Sequence, residues 1–450
     1  MKKNDNINLT IENYGCNAEG VAKYEGKTVF VPYSLKNENI DSTIIKDNSK
    51  FCIGKITKIN NASHERISPV CPYFSKCGGC NLQHTNYENS LKIKTEIVQN
   101  AITNIGKIDF KVALTKPSPK QYHYRNKIAM PINPKTKKLG MYRLSSHKII
   151  DIETCPLQKD LINDIIGTVN QYLSKTENTI FDDETKKGLL KSLVAREIDK
   201  KLLITLVING EKLEDKNALI DIISHNFKDV GISLNYNTLK NNVILTDKFH
   251  NIYGKNEIEI EEFGIKYKIS NQSFLQVNDD IKHQIYLRIF NEIDDSLVVD
   301  AYSGAGLLSA MMAKHAKEVF GIEIVKEATN LANKLKEQNK ITNLTNINGD
   351  CAEKLPELLD NLKQTNKLDN NFTIVIDPPR KGCDKKVVDT INLIYPDKII
   401  YLSCDPSTLA RDLKLIMQAN NYKIKYIQPY DMFPQTKHVE TLTVLIKENN

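Results

Sequence analysis

Along the first sixty residues, apolar positions recur at every second residue in short runs. INLTI, GVAKY, TVFVPYSL, NIDSTII and FCIGKITKI are separated by Gly, Asn and Glu-Gly turns. That alternation predicts strands with one buried face, and the turn spacing predicts a small antiparallel barrel over residues 1–60. The period then changes. In ENSLKIKTEIVQNAITNIG, residues Leu91, Ile93, Ile97, Val98, Ala101 and Ile102 fall at helical intervals, and the following KPSPKQYHYRNK ends the helix. Residues 156–265 mix strand-like runs (SLVAREI, KLLITLVING) with helices, as an α+β unit does.

From about residue 266 strands and helices alternate regularly. SLVVD precedes GLLSAMMAKHA, EVFGIEI precedes KEATNLANKLKEQNK, and TNING precedes AEKLPELLDNL. FTIVID, KIIYLS and two closing strands, YKIKYI and ETLTVLIKE, continue the series. Such alternation predicts an α/β domain with a mostly parallel sheet covered on both faces, whose ligands bind outside the carboxyl ends of the strands. Three units follow: 1–60, 61–265 and 266–450.

The chain has 450 residues, 40% of them hydrophobic and 26% charged, which excludes a disordered chain, a collagen and a small disulfide scaffold. No run of about 18 apolar residues predicts a membrane span. The N-terminal MKKNDNINLT lacks an apolar signal core, so the chain reads as cytoplasmic and its nine cysteines as thiols, metal ligands or catalytic groups. Charge is unevenly placed. The net charge is +7, yet residues 61–150 alone carry 15 Lys and Arg against four acids. Tyr122, Tyr124 and Tyr142 lie among Arg125, Lys127 and Arg143 in sequence. A cationic surface with stacking rings suits RNA.

The chemistry-bearing residues sit at the predicted strand ends. DAYSGAG, residues 300–306, is a glycine turn between a strand and a helix. A dinucleotide fingerprint needs a third glycine, where Ser309 stands, and Asp300 would repel a pyrophosphate while suiting the ammonium of an amino-acid moiety. Gly304 and Gly306 allow close approach to a ligand, Glu323 stands where ribose hydroxyls are held, and Asp350 could reach an adenine amino group. These features favour S-adenosylmethionine over NAD.

The fourth strand ends in Asp377-Pro378-Pro379-Arg380, a rigid turn of the kind that faces a target base in nucleic-acid methyltransferases. The fifth ends in Ser403-Cys404-Asp405-Pro406. Carbon 5 of a pyrimidine does not attack a methyl sulfonium unaided. A thiolate added at carbon 6 makes it a nucleophile, and a base must then remove the carbon 5 proton. Cys404 is the candidate nucleophile and Glu440, before the last strand, the candidate base. Separately, Cys71, Cys77 and Cys80 (C-x5-C-x2-C) with Cys155 fit an iron–sulfur cluster or a structural zinc.

Taken together, these residues resemble the RNA uracil-5 methyltransferase family, in particular its iron–sulfur-containing bacterial 23S ribosomal RNA branch. The resemblance implies a Rossmann-like S-adenosylmethionine-dependent methyltransferase domain, an N-terminal TRAM barrel and an α+β central RNA-binding domain. It implies a 4Fe-4S cluster on CPYFSKCGGCNLQH and Cys155. It also implies RNA contacts from YRNK (Arg125, Lys127) and from GMYRLSSHKIIDIETCPL. In QSFLQVN, it implies that Gln276 touches the cofactor and Phe274 packs near RNA bases; Tyr302 would lie beside the adenosine, and Asp377 is a further cofactor position. The expected reaction is 5-methyluridine formation in 23S rRNA, with the T-loop uridine of tRNA as the alternative substrate. No membrane or protein partner is implied. Cytosine-5 methylation is disfavoured by Pro-Pro-Arg in place of a Pro-Cys turn. A radical S-adenosylmethionine enzyme is disfavoured by four cysteines that would close every iron. A non-catalytic RNA-binding or assembly factor is opposed by the intact Cys404 and Glu440.

Overall fold

A computed structural model describes residues 2–448 except 145, 294, 369, 370 and 420; Ser145, within the run GMYRLSSHKIIDIETCPL, lies outside the described residues. The expected N-terminal strands form one six-stranded sheet over residues 6–61, with a short added strand at Asn13–Tyr14. Ile7, Leu9, Val29, Val31, Ile40 and Ile44 fill its core. The sheet is not wholly antiparallel as expected. Lys27–Val31 pairs in parallel with Phe51–Asn61, because the intervening Asn39–Asp47 lies on the other side of that long strand.

The middle of the chain is less unitary than its sequence suggests. Lys127–Pro131, Leu190–Ile198, Lys201–Ile208, Val230–Tyr236 and Phe249–Tyr253 form a five-stranded sheet. Helices Asp160–Lys175 and Lys216–Asn226 share its core through residues such as Ile162, Ile166 and Ile223. Helix Tyr87–Ala101 does not join that core. Val98, Ala101 and Ile102 pack into the C-terminal domain, while Ile93 and Ile97 pack against Tyr14, Leu35 and Leu82. Two apolar stripes along this helix and its C-terminal turn therefore rivet the barrel to the C-terminal domain. Hairpin Ile258–Glu262/Ile265–Ile269 likewise adds Ile258, Ile265, Tyr267 and Ile269 to the C-terminal core.

The C-terminal sheet has seven strands: β1 (Leu297–Ala301), β2 (Glu318–Glu323), β3 (Leu344–Asn348), β4 (Phe372–Ile376), β5 (Lys398–Ser403), β6 (Tyr422–Tyr430) and β7 (Glu440–Lys447). Their spatial order is β3-β2-β1-β4-β5-β7-β6; the first five run parallel, and β7 runs antiparallel to both neighbours. Alternate residues feed opposite cores: Leu297, Val299, Ile374 and Tyr401 on one face, Val298, Val375, Ile400 and Leu442 on the other. Both faces are covered, as near-continuous apolar strands require. The helix expected from GLLSAMMAKHA is shorter than its pattern, Leu307–Met312. Among the described residues no helix is long and apolar enough to cross a membrane.

One buried ion pair secures the hairpin at the entrance to this domain. Lys282 of helix Asp279–Phe290 donates to both Glu262 oxygens (2.7 and 2.8 Å), and His283 Nε2 lies 2.9 Å from one of them. Burial opposes ionisation of Glu262, but the His283 and Lys282 contacts outweigh it and hold the carboxyl at about 2. Glu262→Gln strands a fully buried ammonium. The expected loss is about 3–5 kcal/mol, read as a lower denaturation midpoint of the full chain.

Candidate active site

The carboxyl ends of β1 to β5 share one edge of the sheet. After β1 the backbone turns through left-handed conformations at Tyr302 (φ +70°), Gly304 (φ +56°) and Gly306 (φ +75°). Gly306 is required sterically, since a Cβ there would lie 2.6 Å from the Ala332 methyl. Gly304 differs: a Cβ would meet nothing within 4 Å, so the turn leaves space open above it. Glu323, at the end of β2, accepts hydrogen bonds from the Gly304 N–H (2.9 Å) and the Val325 N–H (2.8 Å), pinning the loop. Asp300 is buried and accepts from the Ser309 hydroxyl, which explains the serine at the position of a third glycine. Burial pushes Asp300 up to about 7, with Asp377 and Glu323 adding to the rise. Tyr302 packs on the core nearby, and exposed Asp350 caps helix Cys351–Gln364 through the Ala352 N–H (2.9 Å). An open cradle bordered by acids fits a ligand carrying an ammonium, a sulfonium and ribose hydroxyls.

Cys404 and Glu440 meet for a topological reason. Ser403 pairs with Thr441 across the antiparallel β5–β7 ladder, so the next residues outward are Cys404 on one strand and Glu440 on the other. Because β7 runs backwards, its first residue lies at the edge where the parallel strands end. Asp377, one residue beyond β4, completes the group. Burial pushes Asp377 up to about 7 and lifts Glu440 well above the carboxylate range, with Asp377 adding to the latter. The Cys404 thiol is pushed up to about 11 by burial and by Glu440, while Arg380 pulls it down. Arg380 opposes the rise at Glu440 as well. Its place in the DPPR turn was visible in the sequence, but its proximity to both groups was not.

The strip 271–278 presents the other expected contacts. Phe274 is 86% exposed, an unusual position for an aromatic ring and one suited to stacking. Its neighbours are clasped from the central sheet. Lys127 Nζ donates to the Asn271 carbonyl (2.7 Å), Arg196 Nη2 to the Ser273 carbonyl, and Asn126 Nδ2 to the Gln276 carbonyl (3.1 Å). The Asn126 N–H also donates to the Val277 carbonyl (3.1 Å). This corrects the picture of Tyr124 as a ring on a cationic surface. Tyr124 is buried with its hydroxyl on the Pro434 carbonyl (3.1 Å), and Lys127 and Arg125 line an internal cavity. Burial and Arg196 lower Lys127 to about 8. Asn126 and Arg196 escaped the sequence reading, although a lone arginine among the apolar residues of SLVAREI is a recognisable sign of an inward-facing cation.

That cavity, about 340 Å³, is lined by Cys71, Cys77, Cys80 and Cys155 together with Tyr73, Phe74, Met141 and Val277. Three thiols close in sequence and a fourth, Cys155, 75 residues beyond Cys80, are thus brought to one place. Burial pushes Cys77 and Cys155 up, and Cys80 up to about 12; the neighbouring cysteines raise Cys80 and Cys155 further. Thiolates in such a place need a cationic centre among them. Among the described residues no three His, Cys, Asp or Glu side chains close on a single-ion position. The donor set, four thiols lining one cavity, suits an iron–sulfur cluster or a structural zinc.

Comparison with known proteins agrees with this geometry. The family model described as tRNA (Uracil-5-)-methyltransferase matches residues 86–448. An uncharacterized RNA methyltransferase of Clostridium acetobutylicum is 36% identical over 99% of this chain and 98% of its own. One from Listeria innocua is 35% identical over the same shares. Among solved structures, the Pyrococcus abyssi tRNA (uracil-54, C5)-methyltransferase in complex with S-adenosyl-L-homocysteine superposes with a TM-score of 0.78 at 24% identity. The match covers 98% of this chain and all of that one.

The two loop glycines separate by substitution. Gly304→Val meets no neighbouring atom but strains the left-handed backbone (φ +56°), so stability falls modestly and S-adenosylhomocysteine binding, read by calorimetry, falls at least about tenfold. Gly306→Val collides with Ala332 and lowers the melting temperature as well.

Proposed function

Since the chain belongs to the tRNA (uracil-5-)-methyltransferase family, we propose that it methylates carbon 5 of a uridine in 23S ribosomal RNA through a transient bond between Cys404 and carbon 6. The observation that carries this reading is the β5–β7 register. It seats a thiol and a carboxyl side by side at the edge that holds the glycine loop.

S-adenosylmethionine, held by Asp300, Glu323, Asp350 and the Gly304 turn, with Tyr302 and Gln276 alongside, supplies the methyl group. Cys404, as thiolate, adds to carbon 6 and pushes electron density to carbon 5, which takes the methyl. The Glu440 carboxylate removes the carbon 5 proton, and the electron pair left behind expels the Cys404 thiolate. A carboxylate lifted above its ordinary range is a stronger base for that step, while Asp377 faces the base from β4. Arg380 favours the ionised forms of both groups. Phe274 offers a stacking platform for bases around the target. Cys71, Cys77, Cys80 and Cys155 would hold a 4Fe-4S cluster whose part is structural, since methyl transfer through a thiolate moves no electron. Such a protein acts in the cytoplasm, where its RNA substrate is made.

The resemblance of the cysteine motif to the ribosomal RNA branch supports ribosomal RNA. The full-length likeness to a tRNA enzyme of Pyrococcus abyssi supports the second reading, the T-loop uridine of tRNA. Incubating unmodified 23S rRNA and tRNA with enzyme and labelled cofactor, then mapping the methylated nucleotide, decides between them.

Cys404→Ala is expected to lose methylation by at least about a thousandfold. Glu440→Gln is expected to accumulate a denaturation-resistant RNA–protein adduct carrying the methyl label. Near-wild-type turnover by Cys404→Ala would refute the mechanism. Because the thiol stands at about 11 in the free protein and Glu440 is also raised, the active forms of both grow as pH rises. The expected kcat/KM climbs steeply from pH 7 to 9, up to about tenfold per unit where the thiolate fraction limits the rate. A flat profile would show that neither ionisation governs the reaction.

A further inference from the structure

Lys94, on helix Tyr87–Ala101, is remote in sequence from Cys404 and Glu440, yet its side chain is 0% exposed and reaches the chain just ahead of Glu440. Its partner Asp431, also 0% exposed, opens the loop that joins β6 to β7. The ammonium has three N–H bonds, and each has a taker. One goes to Asp431 Oδ1, one to the Phe433 carbonyl (3.0 Å) and one to the His438 carbonyl (2.8 Å). The second Asp431 oxygen accepts from the Tyr87 hydroxyl (2.8 Å), which itself accepts from the Ser118 N–H (2.8 Å). A single buried cation thus ties the first residue of the loop to a residue near its end.

We propose that Lys94 is a positioning residue for Glu440, fixing where β7 begins by pinning both ends of the 431–438 loop. This inference rests on the uridine methylation reading. Side chains alternate across a sheet, so a slip of one residue in β7 would turn Glu440 to the opposite face. A loop ahead of the strand can absorb such a slip unless its span is fixed. Here the span between Asp431 and His438 is set by one ammonium, and the middle of the loop is gripped separately. The N–H groups of Asn81 and Leu82 both donate to the Gln435 carbonyl (3.1 Å each), and the Lys437 N–H donates to Asn81 Oδ1 (3.3 Å). Stability alone does not call for an ammonium, because well-packed apolar residues serve a buried site at least as well as an ion pair. What apolar residues cannot supply is two N–H donors to the Phe433 and His438 carbonyls.

The test compares two neutral pairs. Lys94→Met with Asp431→Asn removes both charges and all donors at position 94; Lys94→Gln with Asp431→Asn removes the charges but keeps an amide N–H pair for the carbonyls. In single-turnover assays with uridine RNA, the Met pair is expected to form the methylated Cys404 adduct within about threefold of the wild-type rate. It should then release product about ten- to a hundredfold more slowly, because misplacing a catalytic group by about 1 Å has that effect. Labelled adduct then accumulates, as it does in Glu440→Gln. The Gln pair is expected to recover about tenfold of the release rate, at a melting temperature matching that of the Met pair. Equal slowing of adduct formation and release in the Met pair overturns the proposal, as does normal release in that pair or an absence of rescue by glutamine. Failure of the underlying reaction looks different: Cys404→Ala would still methylate RNA and Glu440→Gln would trap no adduct, whatever position 94 holds.

Discussion

The structure depends on one antiparallel pairing, that of β7 with β5 at the border of a run of five parallel strands. Five parallel strands deliver the glycine loop, Glu323, Asp377 and Cys404 to a common edge, but each arrives at its own strand end. Only a strand running the other way can start at that edge, and β7 starts there with Glu440. Pairing with β5 then fixes the distance between thiol and carboxyl by backbone hydrogen bonds rather than by side-chain contacts, the most rigid support a fold offers.

The groups at this edge are costly to keep there. Asp300, Asp377 and Glu440 are all raised by burial, and each raises at least one other or is raised by one. A folded chain tolerates such a cluster where its chemistry is used. Arg380 is a cation near both Cys404 and Glu440, and it stands on the rigid Asp-Pro-Pro turn, which holds its backbone in place.

Around the edge, the remaining units act as clamps. The central sheet holds the 271–278 strip through four hydrogen bonds to its backbone, and the Cys77–Leu82 stretch holds Gln435. The cysteine cavity lies between these clamps, since Val277 and Cys80 both belong to its lining. The cavity therefore borders both the 271–278 strip and the Cys77–Leu82 stretch.

Much of this was legible in the chain. The strand–helix alternation after residue 266, the acids and glycines at strand ends, the thiol after KIIYLS and the carboxyl before TLTVLIKE all follow from local pattern and chemistry. So did the grouping of four cysteines, from spacing and residue type. The sequence by itself determined which elements form and which residues carry reactive groups, because periodicity and strand-end position are local properties. Tertiary structure alone decided that Lys127 faces inward while Phe274 faces out, and that helix Tyr87–Ala101 belongs to two other cores. It alone brought Lys94 to Asp431, 337 residues away. Those outcomes turn on which of several possible surfaces an amphipathic element or a cation meets, and that choice is made by packing across the whole chain, not by neighbours in sequence.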